Sequence, residues 1–250
     1  KKPDFSPPCH KVSIPFELNH YKEWLRGQNH YDNYQLSGVS DHGVRSFYYP
    51  PKAVDNCNKC HMPLKDSEDF GADFFAGKDK GLKIHDHLFP GANTGIAHLR
   101  NEPDIVKVHE KFLKGSVVVD IFGVKEGGSV DGKLIAPVRP SIPSLNPGSE
   151  YLLEVVVRTM KVGHLFSQGT ADSNEIWIDV ALENDGKTIG RSGGLDEGKE
   201  VDPWSHFLNV YMLDKDGNRI DRRNAQDIFT PLYNNQMPPG TGQVVHYRFK

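Results

Sequence analysis

Apolar and polar positions divide the chain into two stretches of different grain. Over residues 1–114 the pattern is irregular. Only Pro15–Arg26 and Asp104–Leu113 have helical spacing, and the second opens on an acidic residue ahead of an apolar face. Between them run loops marked by Gly38, Gly43, Pro50-Pro51 and Gly71. From residue 115 onward the pattern shortens and alternates. Val117–Val124 is β-branched, Tyr151–Met160 has strand character, and Glu175–Leu182 places Ile176, Ile178 and Val180 on one face. Phe207–Leu213 and Val244–Phe249 add two further strands. Turn clusters at Asn184-Asp185-Gly186, Asp216-Gly217-Asn218 and Pro238-Pro239-Gly240 separate them. The expected fold class is α+β: a loop and short-helix region over 1–114, followed by an antiparallel β-sandwich over 115–250.

This division poses a stability problem. A hundred residues of polar loop do not build a core unaided. Either a large apolar group or neighbouring protein must complete the first half. The histidines point to the former. Of twelve in the chain, nine precede residue 110. Imidazole concentrated in this way implies something for imidazole to bind. The formal net charge of −3 gives no basic footprint for nucleic acid. No run of apolar residues is long enough for a membrane-spanning helix. Three cysteines, an odd number, argue against a disulfide framework.

The strongest motif is Cys57-Asn58-Lys59-Cys60-His61, the C-x-x-C-H arrangement of covalent haem attachment. Two thiols three positions apart can each join one vinyl group of a single porphyrin, and the adjoining His61 reaches the iron as proximal ligand. A zinc half-site is the rival reading. It would need a second ligand pair at matching spacing, and no second C-x-x-C exists. A related layout stands at Ser6-Pro7-Pro8-Cys9-His10, with Ser in the place of the first Cys. It fits a haem held by one thioether through Cys9, with His10 on the iron.

A low-spin electron-transfer iron needs a second axial ligand. Met62 adjoins the proximal residue and lies on the wrong side of the ring for its haem. Met160, Met212 and Met237 fall in the β half as core or loop positions. Bis-histidine ligation is therefore expected, from among His20, His30, His42, His85, His87, His98, His109 and His164. His30 and His42 lie in loops between the two attachment motifs. His87 precedes the small-residue loop Pro90-Gly91-Ala92-Asn93-Thr94, and His164 follows Gly163 at a strand end. His206 and His246 sit inside strand patterns and read as structural.

Several stretches resemble the C-terminal part of large bacterial multihaem c-type cytochromes. They are 26–51 (RGQNHYDNYQLSGVSDHGVRSFYYPP), 57–64 (CNKCHMPL), 87–99 (HLFPGANTGIAHL), 162–180 (VGHLFSQGTADSNEIWIDV) and 189–229. Together they cover more than half the chain, and the element Gly163–Thr170 and the PGANT loop are the most specific. The resemblance implies several bis-His haems stacked beside a β-sandwich, with His30, His42, His87 and His164 as distal ligands. Two departures stand out. Ser6 replaces a cysteine of the motif, and four distal histidines outnumber two attachment motifs. Either some serve haems attached on an N-terminal part or another subunit, or some of the four do not ligate.

The expectation is an electron carrier with heme c: one haem at Cys57, Cys60 and His61, a second at Cys9 and His10, and contacts to further haems. Other redox proteins or cytochrome subunits are the expected partners, in a periplasmic or extracellular setting and with a larger assembly possible. The alternatives are part of a multihaem oxidoreductase acting on small nitrogen or sulfur compounds, and a docking module of a cytochrome assembly. Asp214–Asn218 lacks the glycine and glutamate of a calcium loop and reads as a hairpin turn. Gly190–Gly194 is followed by no helix and is no phosphate loop.

Overall fold

The computed structural model describes residues 10, 11, 17, 29–44, 49–169, 171–221 and 224–250. The expected helix at Pro15–Arg26 and the attachment residue Cys9 fall outside them. The chain is mixed α+β, with few helices and mostly antiparallel sheets.

Among the described residues, four short helices lie in the first half: α1 (His30–Leu36), α2 (Asn58–His61), α3 (Thr94–Leu99) and α4 (Pro103–Leu113). The helical spacing expected at Asp104–Leu113 is observed, with Pro103 at its first turn, where a missing N–H costs nothing. A two-stranded ribbon, β1 (Leu64–Asp66) with β2 (Lys83–His85), follows the C-x-x-C-H turn.

The second half is built on a four-stranded sheet. Its strands are β3 (Val117–Glu126), β4 (Leu134–Ile135), β5 (Tyr151–Thr159) and β13 (Gly242–Phe249), in the order β13-β5-β3-β4. β5 is an inner strand and pairs along its whole length with both β3 and β13. The remaining strands are β6 (Trp177–Ile178) paired with β9 (His206–Phe207), a hairpin of β7 (Val180–Asn184) and β8 (Lys187–Ser192), and the sheet β11-β10-β12. The last comprises β10 (Val210–Leu213), β11 (Arg219–Ile220) and β12 (Thr230–Asn234).

Val157, Ile178, Leu208, Met237 and Val245 form one buried cluster, joining the large sheet to the β6-β9 pair. A second cluster, Ala171, Val210, Met212, Ile220 and Ile228, lies under the three-stranded sheet.

Two expected strands are broken where tertiary pairing changes partner. Glu175–Leu182 alternates as expected, with Ile178 buried and Ile176 and Val180 beside it. Yet β6 pairs with β9 and β7 pairs with β8, so the strand divides at Asp179, whose carboxylate is bound by Arg191. Phe207–Leu213 divides at Leu208 and Asn209. Asn209 is fully buried and makes its bonds sideways, to the Asn174 carbonyl and from the Tyr233 hydroxyl. The expected turns are present. Asp185 and Gly186 both take positive φ between β7 and β8, as a tight hairpin requires. The Asp214 carboxylate accepts backbone N–H bonds from Asp216 and Asn218, which makes this segment a turn.

One charged group sits inside the large sheet. Glu154 on β5 is buried, and its carboxylate accepts from Lys125 Nζ at 3.0 Å and His246 Nε2 at 3.2 Å. Burial alone raises its pKa, but the bonds from Lys125 and His246 win and hold the carboxyl below its usual range. A carboxylate with a depressed folded pKa stabilises fully above its ordinary value of 4.5, and the contribution is lost as pH falls through the folded value. Glu154→Gln is expected to cost about 2 kcal/mol at neutral pH by leaving Lys125 and His246 without their anion. It should also flatten the loss of stability below pH 4.5, which urea unfolding across a pH series measures.

Candidate functional site

The C-x-x-C-H sequence forms a single helical turn. Cys57 stands at its N-cap, α2 runs through Asn58–His61, and the His61 N–H donates to the Cys57 carbonyl at 2.9 Å. The Asn56 side chain starts the turn by accepting from the Asn58 N–H. Helical geometry puts residues i, i+3 and i+4 on one side, so Cys57, Cys60 and His61 face together. Neither cysteine is disulfide-bonded. Cys57 is half-buried and Cys60 is exposed as a residue, although burial pushes its thiol pKa up.

His61 is held at its outer nitrogen. Its Nδ1–H donates to the Pro90 carbonyl at 2.9 Å. A carbonyl has no proton to give, so this contact fixes the tautomer and leaves the Nε2 lone pair for a ligand. The Pro90 loop is set in turn by His109, a buried α4 residue whose Nδ1 lies 2.9 Å from the Gly91 carbonyl oxygen. Phe112, one helical turn along α4, packs on the His61 ring at 5.2 Å between centroids.

Three other histidines converge on the same place. His164 lies 6.2 Å from His61 between ring centroids, with the two planes at 12°. His30 lies 5.2 Å from His164 at 84°, and His10 lies 5.5 Å from His30 at 80°. These four residues come from four segments far apart in sequence.

Each is placed by an identifiable local device. His30 is the first residue of α1. The Asn29 side chain caps that helix by accepting from the Asp32 N–H, and Gln168 donates to the Asn29 carbonyl from the other half of the chain. His164 sits on a strap between β5 and β6 that is pinned on both sides. The Tyr49 hydroxyl donates to the Val162 carbonyl and Ser37 to the Gly163 carbonyl, while Phe166 and Met237 exchange two backbone bonds. Its Nδ1–H donates to the Leu165 carbonyl at 3.1 Å, again leaving Nε2 available. Gly163 and Gly169 flank the strap. Gly163 lies against Tyr34 and Val39, and Gly169, at φ +93°, lies against the His30 ring.

The electrostatics keep His30, His61 and His164 neutral. Burial pushes the His30 pKa down to about 3, with further lowering from His164, His10 and His61. His61 and His164 are also lowered, chiefly by burial. Neutral imidazole is the form that binds a metal. His30 Nδ1 is buried and has no hydrogen-bond partner among the described residues, an unmet demand at the centre of the cluster. A donor set of neutral imidazoles with oriented lone pairs, beside two thiols on one helical turn, fits covalent haem. Haem would be held by Cys57 and Cys60 as thioethers and by imidazole nitrogen on iron. Among the described residues no group of three or more His, Cys, Asp or Glu is arranged to hold a metal ion by itself.

Of the sequence-derived candidates, the structure brings together His10, His30, His61 and His164. His42 and His87 are exposed and make no ring contact with these four among the described residues. His85 lies outside the cluster, its Nδ1 donating to the Met62 carbonyl at 2.7 Å. His109 proves to be a structural support. The residues that sequence reasoning passed over are the positioning ones: Asn29, Tyr34, Tyr49, Pro90 and Phe112. Their signals are long-range contacts to backbone, which no local pattern announces.

Tyr34 anchors α1 beneath the cluster, and its buried hydroxyl donates to the Val54 carbonyl at 2.6 Å. Tyr34→Phe is expected to lower stability by about 1 kcal/mol through that lost bond. A Cβ on Gly163 would meet Val39 at an ordinary 3.5 Å, so Gly163→Ala should be near neutral. Gly163→Leu should cost about 2 kcal/mol or more by overpacking against Val39 and Tyr34. Chemical denaturation of the three variants checks the order.

No protein-family model, no curated protein and no solved structure matches the chain.

Proposed function

We propose that this chain is a multihaem c-type cytochrome that transfers electrons. Heme c is attached through Cys57 and Cys60 with His61 on its iron. A second is attached through Cys9 with His10 on its iron, and His30 and His164 supply distal ligands. The observation that carries this reading is the convergence of His10, His30, His61 and His164 from four remote segments at the mouth of the C-x-x-C-H turn. Attachment needs no oxidant: each thiol adds across one vinyl double bond, sulfur to one carbon and hydrogen to the other. The iron, once bound, cycles between ferric and ferrous states. Imidazoles on both faces leave it no open position and favour electron transfer over catalysis.

The distribution of the core supports the same reading. Among the described residues, four buried apolar side chains lie before residue 115 (Tyr34, Val39, Met62 and Ala97), against sixteen beyond it. An apolar macrocycle covalently fixed at Cys57 and Cys60 supplies the core that the first half lacks. The second half we read as a β-sandwich, in which the cluster around Val157 and Met237 is the contact between layers. It is the support from which the His164 strap reaches across. No helix among the described residues is long and apolar enough to cross a membrane. We place the protein in the periplasm or outside the cell, where thioether anchoring prevents haem loss, with other redox proteins or cytochrome subunits as its partners. The exposed His42 and His87 are suited to haems attached on such a partner.

Natively produced protein is expected to show a Soret band, a c-type pyridine haemochrome spectrum and an intact mass raised by two haems. Cys9→Ala should remove one haem of mass, and Cys57→Ala with Cys60→Ala the other. A colourless protein of unmodified mass, from a host that attaches haem to other cytochromes, would overturn the proposal.

A further inference from the structure

We infer that the four imidazoles form two fixed axial pairs of different geometry. His164 closes the iron of the haem at Cys57 and Cys60 with its plane nearly parallel to that of His61. His30 closes the iron of the haem at Cys9 with its plane nearly perpendicular to that of His10. The inference rests on the haem reading above and assigns what that reading leaves open.

The argument is one of distance and pairing. An imidazole nitrogen sits about 2 Å from a bound first-row metal ion and roughly 1.1 Å from its own ring centre, so two imidazoles on opposite sides of one iron hold their centroids a little over 6 Å apart. His61 and His164 stand at 6.2 Å and 12°. That is the separation of an axial pair. Both have Nδ1 donating to a backbone carbonyl, Pro90 for His61 and Leu165 for His164, so both offer Nε2. His10 and His30 stand at 5.5 Å and 80°, within 1 Å of the same requirement. The remaining close pair, His30 with His164 at 5.2 Å, joins two distal histidines and no motif histidine, so it belongs to neither iron. Only this pairing gives each motif histidine a second histidine in ring contact with it. The His30–His164 contact then becomes the place where the two sites touch, and the path between them runs through their distal ligands.

Ring planes are held by the protein and not by the iron. The carbonyl bonds fix the planes of His61 and His164, while the Asn29 cap and Gly169 confine His30. Parallel axial imidazoles give low-spin ferric haem a rhombic paramagnetic resonance spectrum, and perpendicular ones a highly anisotropic signal dominated by one large g value.

The test isolates one haem. In Cys9→Ala protein, intact mass should report a single haem, and its oxidised spectrum should be the rhombic low-spin form. Adding His164→Ala should convert that haem to high spin, and free imidazole should restore low spin. His164→Met should give instead the near-infrared charge-transfer band of histidine–methionine ligation, a result that a merely disrupted fold cannot produce. Adding His30→Gln to Cys9→Ala should leave the haem low-spin. The highly anisotropic signal should appear only in chains that keep Cys9. If His30→Gln produces the high-spin haem and His164→Ala does not, or if the isolated haem itself gives the highly anisotropic signal, the pairing is wrong. A Cys9→Ala chain without any haem removes the attachment reading and the pairing with it.

Discussion

Everything at the histidine cluster depends on the strap that carries His164. It crosses from the sheet-rich half to the helical half and is tied down at four points. Tyr49 and Ser37 donate to it from the first half, and Phe166 and Met237 bond it to the core of the second. Met237 is fully buried in the cluster beneath the large sheet. The position of one imidazole is thereby tied to a buried cluster of the second half, opposite His61 on its one-turn helix. Without the strap, α1, α2 and the Pro90 loop would have only each other, and together they bury too little to hold a ring in place.

The tie also runs in the other direction. Gly240, at φ +69°, lies so close to Tyr49 that a Cβ there would approach its ring carbons to 2.8 Å. Gln236 donates to the Ser167 carbonyl, and Gln168 reaches back to Asn29 at the cap of α1. The turn Pro238-Pro239-Gly240 is therefore more than a hairpin connection. It is part of the seat for the aromatic ring that holds the strap. The two halves differ in composition, but these bonds make the ligand positions a joint product of both.

Sequence gave access to what is local. The α4 pattern is a helix, and the strand character of Tyr151–Met160 is an inner strand of the large sheet. Asp185 and Gly186 turn where they should. What stayed hidden is what depends on partners. Glu175–Leu182 and Phe207–Leu213 read as single strands because alternation registers burial, and burial continues through the breaks at Asp179 and Asn209. Only the pairing changes there, and pairing is a property of distant residues. The same limit applies at the site. His30, His42, His87 and His164 are equivalent by residue type. Two are gathered by an N-cap and a pinned strap, and two are left at the surface. His109 shows the converse. Its place on the apolar face of α4 marks it as buried, but its task, holding Gly91 so that Pro90 can orient His61, appears only once the loop is folded back.

Three imidazoles, His30, His61 and His164, gathered out of water are a poor arrangement for their own sake. Burial and mutual proximity penalise protonation, which takes His30 to about 3, and neutrality leaves lone pairs facing a confined space. His30 Nδ1 has no hydrogen-bond partner among the described residues. A protein that needed only apolar filling would gain more from leucine, and one that needed a pH switch would keep the rings hydrated, so that protonation falls in the physiological range. Fixed tautomers with unspent nitrogens are the arrangement of ligands awaiting an electrophile. On the haem reading proposed above, iron held by four porphyrin nitrogens would take two more ligands from the protein, and His61 and His164, each with Nδ1 spent on a carbonyl, keep Nε2 for that role.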